Sequence, residues 1–504
     1  MKKNSLLSGA LILVVGAVLA KGFSAVYRIL LTRILGGVGI GLYQLIFPIY
    51  SLCVVLATAG LPMAISKIIA KNKGGERKIV KKCMFYIATI SLILALIMAF
   101  GSRFLAILQG NKEIAICYVI LAPSLLFVAG SSVLRGYFQG VHNFTPSAVS
   151  NIIEQFVKLC FGLVLSLILI KQSLMLAIIG AVVGIVISEI IAFIILVINY
   201  KISIKKSTNI EIELTFKEIF KDILPITLTN IILPLSSFID SVLVVNLLKI
   251  NFSTEVSVFL YGIESGAVAS LINLPTIFSF AIASAIMPSM SVKECIKNKN
   301  FKLNVCVKVV LMIAVPCVVS FIFFPKQIIS VLYGNRLDGF GFAGVDIAAR
   351  LLAISSFGII GLVVNQVYSS TLQAVNFRKA TITNLAIAVF TKFVITLMFM
   401  PFKNLNIYAL AIANTTSYLL VMLLNQLKIQ TKFNLKIDYK FYSKLILSNF
   451  IMLVTIATVL LCNSSIQTIV LAFILGGLLN VFSLYMFKIF NKKDYAMLKY
   501  KTKN

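Results

Sequence analysis

The sequence predicts an all-α polytopic membrane protein of about 14 transmembrane helices. Of its 504 residues, 60% are hydrophobic and only 12% are charged, whereas soluble domains carry about 25% charged residues. The apolar residues form runs of about 20 or more, the length that crosses ~30 Å of hydrocarbon as a helix. No segment alternates polar and apolar residues as barrel strands do. The runs are therefore predicted to be helices, which satisfy their own backbone hydrogen bonds in lipid.

Fourteen apolar runs follow one another along the chain. They cover 6–31, 41–66, 83–108, 114–137, 148–170, 174–199, 222–248, 262–290, 304–330, 345–368, 381–402, 406–427, 442–462 and 467–487. The gaps between them are mostly short, so we expect no inserted soluble domain and no enzymatic domain.

Positive charge falls mainly in alternate gaps. If these lie on alternate sides of the membrane and residues near run ends are counted with the adjacent gap, 32 Lys and Arg residues are assigned to the side of both termini, 8 to the other side and 6 to the membrane itself. Cytoplasmic loops carry such an excess, so both termini are predicted to be cytoplasmic. The net charge of +30 is thereby explained without nucleic acid as a partner. Membrane lipids are the expected neighbours.

Two features of the sequence repeat about 230 residues, or six runs, apart. QGVHNF at 139–144 is matched by QAVNF at 373–377, and the prolines 48 and 62 are matched by prolines 275 and 288. Because six is an even number, the two copies have the same orientation, as in transporters with parallel repeats. We predict two six-helix lobes, 1–200 and 201–430, followed by two additional helices and a cytoplasmic tail in 431–504.

Four cations within the runs are predicted to bind substrate: Lys21, Arg28, Lys158 and Lys392. Ionisable residues within a membrane are costly and mark functional sites, and Lys and Arg bind phosphate. The hypothesis is a cationic lining for a phosphate-bearing headgroup. The alternative is snorkelling to the interface or pairing within the protein.

Five acids within the runs nearly balance the six cations assigned to the membrane. They are Glu154, Glu189, Asp240, Glu264 and Asp346. Glu154 lies four residues before Lys158, and Asp346 lies four before Arg350, so each pair could neutralise itself on one helix face. Asp240 is interpreted either as a site for a coupling Na⁺ or H⁺ or as a hydrogen-bonded acid.

The remaining predictions concern helix shape and metal sites. Pro48 and Pro275 could kink helices that bend during transport, although packing geometry explains each equally well. Arg135, Glu154 and Glu264 are assigned structural or gating roles. One histidine and eight cysteines without a CxxC pair predict no metal site, no disulfide and no cofactor.

Several motifs resemble the stage V sporulation protein B family. They are Lys21-Gly22 with Tyr27-Arg28, LRGYFQG at 134–140 followed by Pro146, and Ile153-Glu154-Gln155 with Lys158. This family of polysaccharide-biosynthesis proteins belongs to the multidrug/oligosaccharidyl-lipid/polysaccharide exporter superfamily. The resemblance covers the whole chain and is most specific between residues 135 and 158.

The resemblance implies two six-helix lobes and two extra helices around a V-shaped cavity that alternates its access. In the related lipid II flippases, cavity cations on the first helix are matched in type here by Lys21 and Arg28. The eighth helix of those flippases adds an arginine, whereas this chain has Glu264 there. The implied location is the bacterial plasma membrane.

The leading functional hypothesis is a flippase for an undecaprenyl-linked peptidoglycan precursor or a similar lipid-linked glycan, used in cell-wall or spore-cortex synthesis. The alternative is a cation-coupled exporter of drugs or small molecules from the same superfamily. A membrane enzyme or a non-transporting scaffold are the further alternatives, and a single histidine excludes an HExxH protease. The sequence does not fix the oligomeric state and is compatible with a monomer.

Overall fold

The computed structural model describes residues 3–58, 60–71, 75–204, 227, 230–291, 295–433, 438–462 and 465–489. Within these residues the chain forms helices and turns, with one isolated β-bridge between Gly339 and Phe342, which confirms the predicted all-α class. The helices are α1 (Lys3–Thr58), α2 (Leu61–Lys71), α3 (Glu76–Phe100), α4 (Ser102–Leu108), α5 (Ala115–Leu121), α6 (Ser124–Gly140), α7 (Thr145–Leu169), α8 (Leu174–Ile204), α9 (Ile232–Leu248), α10 (Thr254–Gly262), α11 (Ala269–Ile272), α12 (Thr276–Ser291), α13 (Ile296–Phe323), α14 (Pro325–Tyr333), α15 (Gly344–Ala374), α16 (Arg378–Phe399), α17 (Asn406–Gln430), α18 (Tyr439–Cys462) and α19 (Ile466–Met486).

The described helices make this a multi-pass membrane protein, as predicted. Eleven are long and apolar enough to cross a membrane, and the count is twelve if the bent pair Lys112–Leu121 and Ser124–Gly140 forms one span. The difference from fourteen arises at two places. The first two runs fall on one continuous stretch, Ile12–Ala70, and the run 222–248 begins outside the described residues and leaves only α9. Fourteen spans therefore stay a prediction.

The first of these places is a helix that reverses its course. α1 has 56 residues, or about 84 Å at 1.5 Å per residue, and leaves helical geometry at Gly36 (φ 68°, ψ −173°), a conformation confined essentially to glycine. Residue numbers rise together along α1 and α7, since Gly9 contacts Phe144 and Tyr27 contacts Gly162. Such parallel packing requires an odd number of intervening crossings, and α3 and the α5–α6 pair supply only two unless α1 also reverses at Gly36. This packing supports two separate spans here, which stay a prediction.

The eighth predicted run, 262–290, was placed wrongly. Its first helix begins at Thr254, after Ser253, whose side-chain oxygen accepts a hydrogen bond from Val256 N at 3.3 Å. These polar residues precede the apolar run, so hydrophobicity alone did not include them. The run is then interrupted between α11 and α12 at Pro275, which has no N–H and disfavours helical geometry in the residue before it.

The chain forms two compact units. The first is Met1–Ala267 with Met400–Ile407, and the second is Val268–Phe399 with Tyr408–Asn504. The first unit thus takes helices from both predicted lobes. The second unit combines helices of the second predicted lobe with the C-terminal pair. The lobes 1–200 and 201–430 and their structural equivalence stay a prediction.

The repeated QGVHNF and QAVNF motifs form turns with the same backbone hydrogen bonds. His142 follows α6 with φ 59°, and Asn376 follows α15 with φ 68°. In both turns the next residue donates to the carbonyl oxygen five residues earlier, at 2.9 Å in the first and 2.8 Å in the second. This is the hydrogen bond of a Schellman helix end, with a left-handed residue after the last turn. The doubled motif therefore corresponds to a doubled local structure.

The doubled proline pair has no such structural counterpart. Pro48 lies inside α1, whereas Pro275 lies in the break before α12. Their similar spacing to a second proline is therefore not evidence for the repeat.

An ion pair joins α13 to the start of α18 in the second unit. Lys308 Nζ lies 2.7 Å from Asp438 Oδ2, and Asp438 Oδ1 accepts a hydrogen bond from Phe441 N at 3.2 Å. The hydrogen bond from Lys308 lowers the pKa of Asp438 below its ordinary value of 3.8. A carboxyl with a lowered folded-state pKa stabilises the fold above its unfolded pKa, and this contribution is lost as the pH falls through the folded value.

We therefore expect Asp438→Asn to destabilise the protein at neutral pH by up to about 1 kcal/mol. The difference from the parent should shrink as the pH falls below about 4, because the parent then protonates Asp438. Thermal unfolding followed by circular dichroism measures it. The control is Asp346→Asn, which removes an equally short but more exposed ion pair with Lys326 (2.7 Å; side chains 43% and 64% exposed). A difference that persists unchanged well below pH 4 would contradict this role of the pair.

Candidate functional site

Five charged side chains of the first unit interact electrostatically within the membrane spans. They are Arg28 of α1, Arg135 of α6, Glu154 and Lys158 of α7, and Glu189 of α8. We call them the charge cluster. Three cations meet two carboxylates, so the cluster has an excess of positive charge at the ordinary charge states.

An ion pair between two helices anchors the charge cluster. Arg135 Nη2 lies 2.7 Å from Glu154 Oε2, and the two side chains are 19% and 13% exposed. Arg135 Nε also donates to Ser150 Oγ at 3.3 Å, and Gln155 Nε2 donates to Glu154 Oε1 at 2.8 Å. Both carboxylate oxygens are thus occupied. Glu154 does not form the ion pair with Lys158 that its spacing allows, because the turn between α6 and α7 brings the Arg135 guanidinium to this carboxylate.

Lys158 is held by aromatic rings instead of a carboxylate. Its Nζ lies 5.3 Å from the centre of the Tyr27 ring and 5.0 Å from that of the Phe47 ring, within the range of cation–π attraction. Within the part of the chain that the structure describes, no carboxylate lies within 4.0 Å of it. The charge of Arg28 repels it, and that of Glu189 attracts it. Its ammonium donors therefore stay available to an anion.

A buried row of aromatic residues on α1 faces the charge cluster. Tyr43, Phe47 and Tyr50 follow one another at helical spacing, and consecutive ring centres are 5.2 and 6.1 Å apart. The Tyr43 hydroxyl lies 3.5 Å from that of Tyr27, and Ser124 Oγ lies 3.1 Å from the Tyr50 hydroxyl. Sequence reasoning missed these residues. Their spacing of four and three positions is a signal, because such residues share one helix face.

Lys21 and Arg28 are both half-buried on α1. Arg28 belongs to the charge cluster and also acts on Tyr27 and Tyr43. Gly22, next to Lys21, has no heavy atom within 4 Å of where a Cβ would stand, so this part of α1 borders open space. That Lys21 faces a water-filled cavity stays a prediction.

The second unit contains the other predicted cation. Lys392 is only 8% exposed, and its Nζ lies 6.0 Å from the centre of the Phe393 ring. The predicted pairing of Asp346 with Arg350 is wrong. Asp346 contacts Lys326 at 2.7 Å, while Arg350 is exposed.

Two acids lie near the end of Met1–Ala267, the longer segment of the first unit. Glu264 is 3% exposed and lies in Ile263–Val268, a π-helical segment of the kind that often marks functional sites. Asp240 of α9 acts electrostatically on Tyr261. The sequence singled out both acids, but hydrophobic periodicity does not reveal the π-helical turn around Glu264.

Pro48 lies at a polar junction of three segments. It is buried within α1, where a proline removes one backbone hydrogen bond. Close by, Gln109 Nε2 donates to Leu45 O and to Ser241 Oγ, each at 2.7 Å. Gln109 thereby joins α1 to α9 and satisfies a carbonyl beside the proline.

An apolar groove lies among α13, α14, α18 and α19 of the second unit. It measures about 1030 Å³, including the space at its open side, and its surface is almost entirely hydrocarbon. Its lining includes Pro316, Ile328, Met452, Ile456 and Phe473.

Known proteins share both the sequence pattern and the fold. Residues 6–293 match the polysaccharide biosynthesis protein family. The chain is 26% identical to stage V sporulation protein B of Bacillus subtilis (strain 168), over 88% of this chain and 87% of the relative. It is 24% identical to the lipid II flippase MurJ of the same organism, over 78% of this chain and 77% of the flippase. The predicted resemblance is therefore confirmed.

Two solved structures have the same fold at low identity. The first is the lipid II flippase MurJ in its inward closed conformation, with a TM-score of 0.73 and 16% identity over 94% of this chain and 98% of that one. The second is an outward-facing multidrug resistance MATE family transporter of the MOP superfamily, with a TM-score of 0.60 and 15% identity. The match covers 84% of this chain and 96% of the transporter. These relatives are flippases and transporters, in agreement with the prediction that the chain is not an enzyme.

Proposed function

The chain belongs to the polysaccharide biosynthesis protein family, and we propose that it is a flippase that moves a lipid-linked oligosaccharide across the bacterial plasma membrane by alternating access. The observation that carries the proposal is the state of Lys158. A cation inside a membrane span is costly, and this one is held by two ring faces with its donors available. The anionic headgroup of a bound substrate would accept hydrogen bonds from the Lys158 ammonium.

The substrate we propose is an undecaprenyl-linked peptidoglycan precursor, used in cell-wall or spore-cortex synthesis. The pyrophosphate of such a lipid would interact with Lys158 and Arg28, since both residue types bind phosphate oxygens. The relatives named above, a lipid II flippase and a sporulation protein, support this substrate class.

A cation-coupled exporter of small molecules is the second candidate. The buried Glu264 and Glu189 favour it, because intramembrane acids bind cations or protons in transporters. The same acids are compatible with a flippase driven by Na⁺ or H⁺, with Asp240 as the proposed coupling site. In either case we propose that both termini are cytoplasmic, on the charge distribution of the loops.

Reconstitution distinguishes these functions. The full-length protein is placed in vesicles that contain a fluorescent undecaprenyl-pyrophosphate-linked glycan, and an impermeant quencher reports how much of it reaches the outer leaflet. We expect faster exchange than in protein-free vesicles, and dependence on a Na⁺ or H⁺ gradient would identify the coupling ion. If the glycan lipid stays in its leaflet under every gradient while an organic cation such as ethidium is transported, the exporter replaces the flippase.

A further inference from the structure

Two lysines contact one aromatic ring in the second unit, and two further cations follow that ring directly in the chain. The ammonium groups of Lys428 and Lys432, one helical turn apart, lie 5.0 and 4.9 Å from the centre of the Phe377 ring. Arg378 and Lys379 follow that ring directly in the chain and are exposed. We call these five residues the Phe377 cluster. It is distinct from the charge cluster, which lies in the first unit.

Among the described residues, the Phe377 cluster has no counter-ion. The sequence contains no Asp or Glu between residues 347 and 437. Across the residues that the structure describes, none of the four cations forms an ion pair. Like charges one turn apart repel each other, and the ring faces compensate this by only about 0.5–1 kcal/mol per contact at an exposed site. The arrangement therefore attracts a mobile anion.

Helix polarity explains only part of the Phe377 cluster. Lys428 and Lys432 lie at the C-terminal end of α17, where cations are favourable. Arg378 and Lys379, in contrast, are the first residues of α16, where the helix dipole favours acids and disfavours cations. The two lysines also reach across from α17 to a ring on a different segment. An anion at the start of α16 would be stabilised by all four cations and by the helix end.

The position of the cluster identifies the kind of anion. α16 and α17 both qualify as membrane spans, and the Phe377 cluster lies at the end of each, in gaps predicted to be cytoplasmic. This is the level of the lipid headgroups. We propose that the Phe377 cluster binds the phosphate of an anionic phospholipid, such as phosphatidylglycerol, independently of the transported substrate.

The test compares two lysine pairs with the same spacing. Full-length protein is titrated with phosphatidylglycerol in detergent, and native mass spectrometry gives the apparent affinity for the first bound lipid. Lys428→Gln with Lys432→Gln should weaken it roughly 30-fold, at about 1 kcal/mol for each lysine near a headgroup surface. The control, Lys440→Gln with Lys444→Gln, removes the same charge at the start of α18 and should weaken it by less than about threefold. Phe377→Leu, which keeps every charge, should cost roughly two- to fivefold.

Three outcomes would overturn the proposal. The first is an equal loss of lipid affinity in the two double variants, which would indicate that the lipid is attracted by the basic residues in general. The second is no loss in the Lys428 and Lys432 variant, provided that its circular dichroism melting curve matches the parent. The third is that the protein binds phosphatidylcholine and phosphatidylglycerol with equal affinity while inorganic phosphate displaces either lipid, which would indicate a site for free phosphate.

Discussion

Replacing Glu154 by alanine should destabilise the folded protein by about 3 kcal/mol. The change leaves the Arg135 guanidinium, which is 19% exposed, without its carboxylate, and removing one partner of a buried ion pair costs about 3–5 kcal/mol. Arg135→Ala should have a similar effect, because it strands the Glu154 charge. Melting of the purified protein in detergent, followed by circular dichroism, measures both.

A smaller change in the same place provides the control. Gln155→Ala removes one neutral donor to Glu154 Oε1 (2.8 Å) and should cost only about 1 kcal/mol. Exchanging the charges, with Arg135→Glu and Glu154→Arg together, should recover part of the loss, since the ion pair is rebuilt in reverse. If Glu154→Ala melts at the parent's temperature, the pair does not hold α6 to α7, and its role must be sought in transport.

Most helices could be predicted because hydrophobicity alone decides whether a segment enters a membrane. The predicted run 174–199 lies within α8, and 442–462 lies within α18. The errors occur where a local polar residue or a proline determines the helix ends, as Ser253 and Pro275 do around α10 and α12. The reversal of α1 at Gly36 was implied by the gap between two runs, but its geometry depends on a single left-handed glycine.

The charge cluster was predictable in membership but not in pairing. Sequence spacing identifies only neighbours on the same helix, so Glu154 was matched with Lys158 four residues away. Arg135 is 19 residues from Glu154, and the tight turn at His142 brings the two helices together. The rings that hold Lys158 lie on α1, more than 100 residues away, and only tertiary packing places them there.

Lys158 and Lys392 lie at positions that differ by one residue when α7 and α16 are compared from their starts. α7 and α16 start at matching positions, since the carbonyl oxygens of Phe144 and Phe377 accept the first helical hydrogen bonds. Lys158 lies 14 residues after Phe144, whereas Lys392 lies 15 residues after Phe377. One residue rotates a side chain by about 100° around a helix. The two lysines are therefore offset by this rotation and do not occupy matching faces of their helices.

Lys158→Ala should abolish most transport while the protein folds normally. Losing a hydrogen bond between charged groups costs about 1.5–3 kcal/mol, so movement of the labelled glycan lipid in vesicles should fall roughly 10- to 100-fold. The fold should tolerate the change, because Lys158 has no carboxylate partner within ion-pair distance among the described residues. Lys158→Arg keeps the charge and should retain part of the activity, although its planar guanidinium presents donors differently.

Two comparisons separate binding from packing. Lys171→Ala removes an exposed lysine just beyond the end of the same helix and should leave transport unchanged. Lys158→Met keeps the length of the side chain against Tyr27 and Phe47 without its charge. If the ammonium binds substrate, the methionine variant melts at least as high as the parent and still fails to transport, because rings that lose a cation gain an apolar neighbour. If the methionine variant transports at the parent's rate, or if alanine loses transport only together with its fold, Lys158 serves packing and the anion is bound elsewhere.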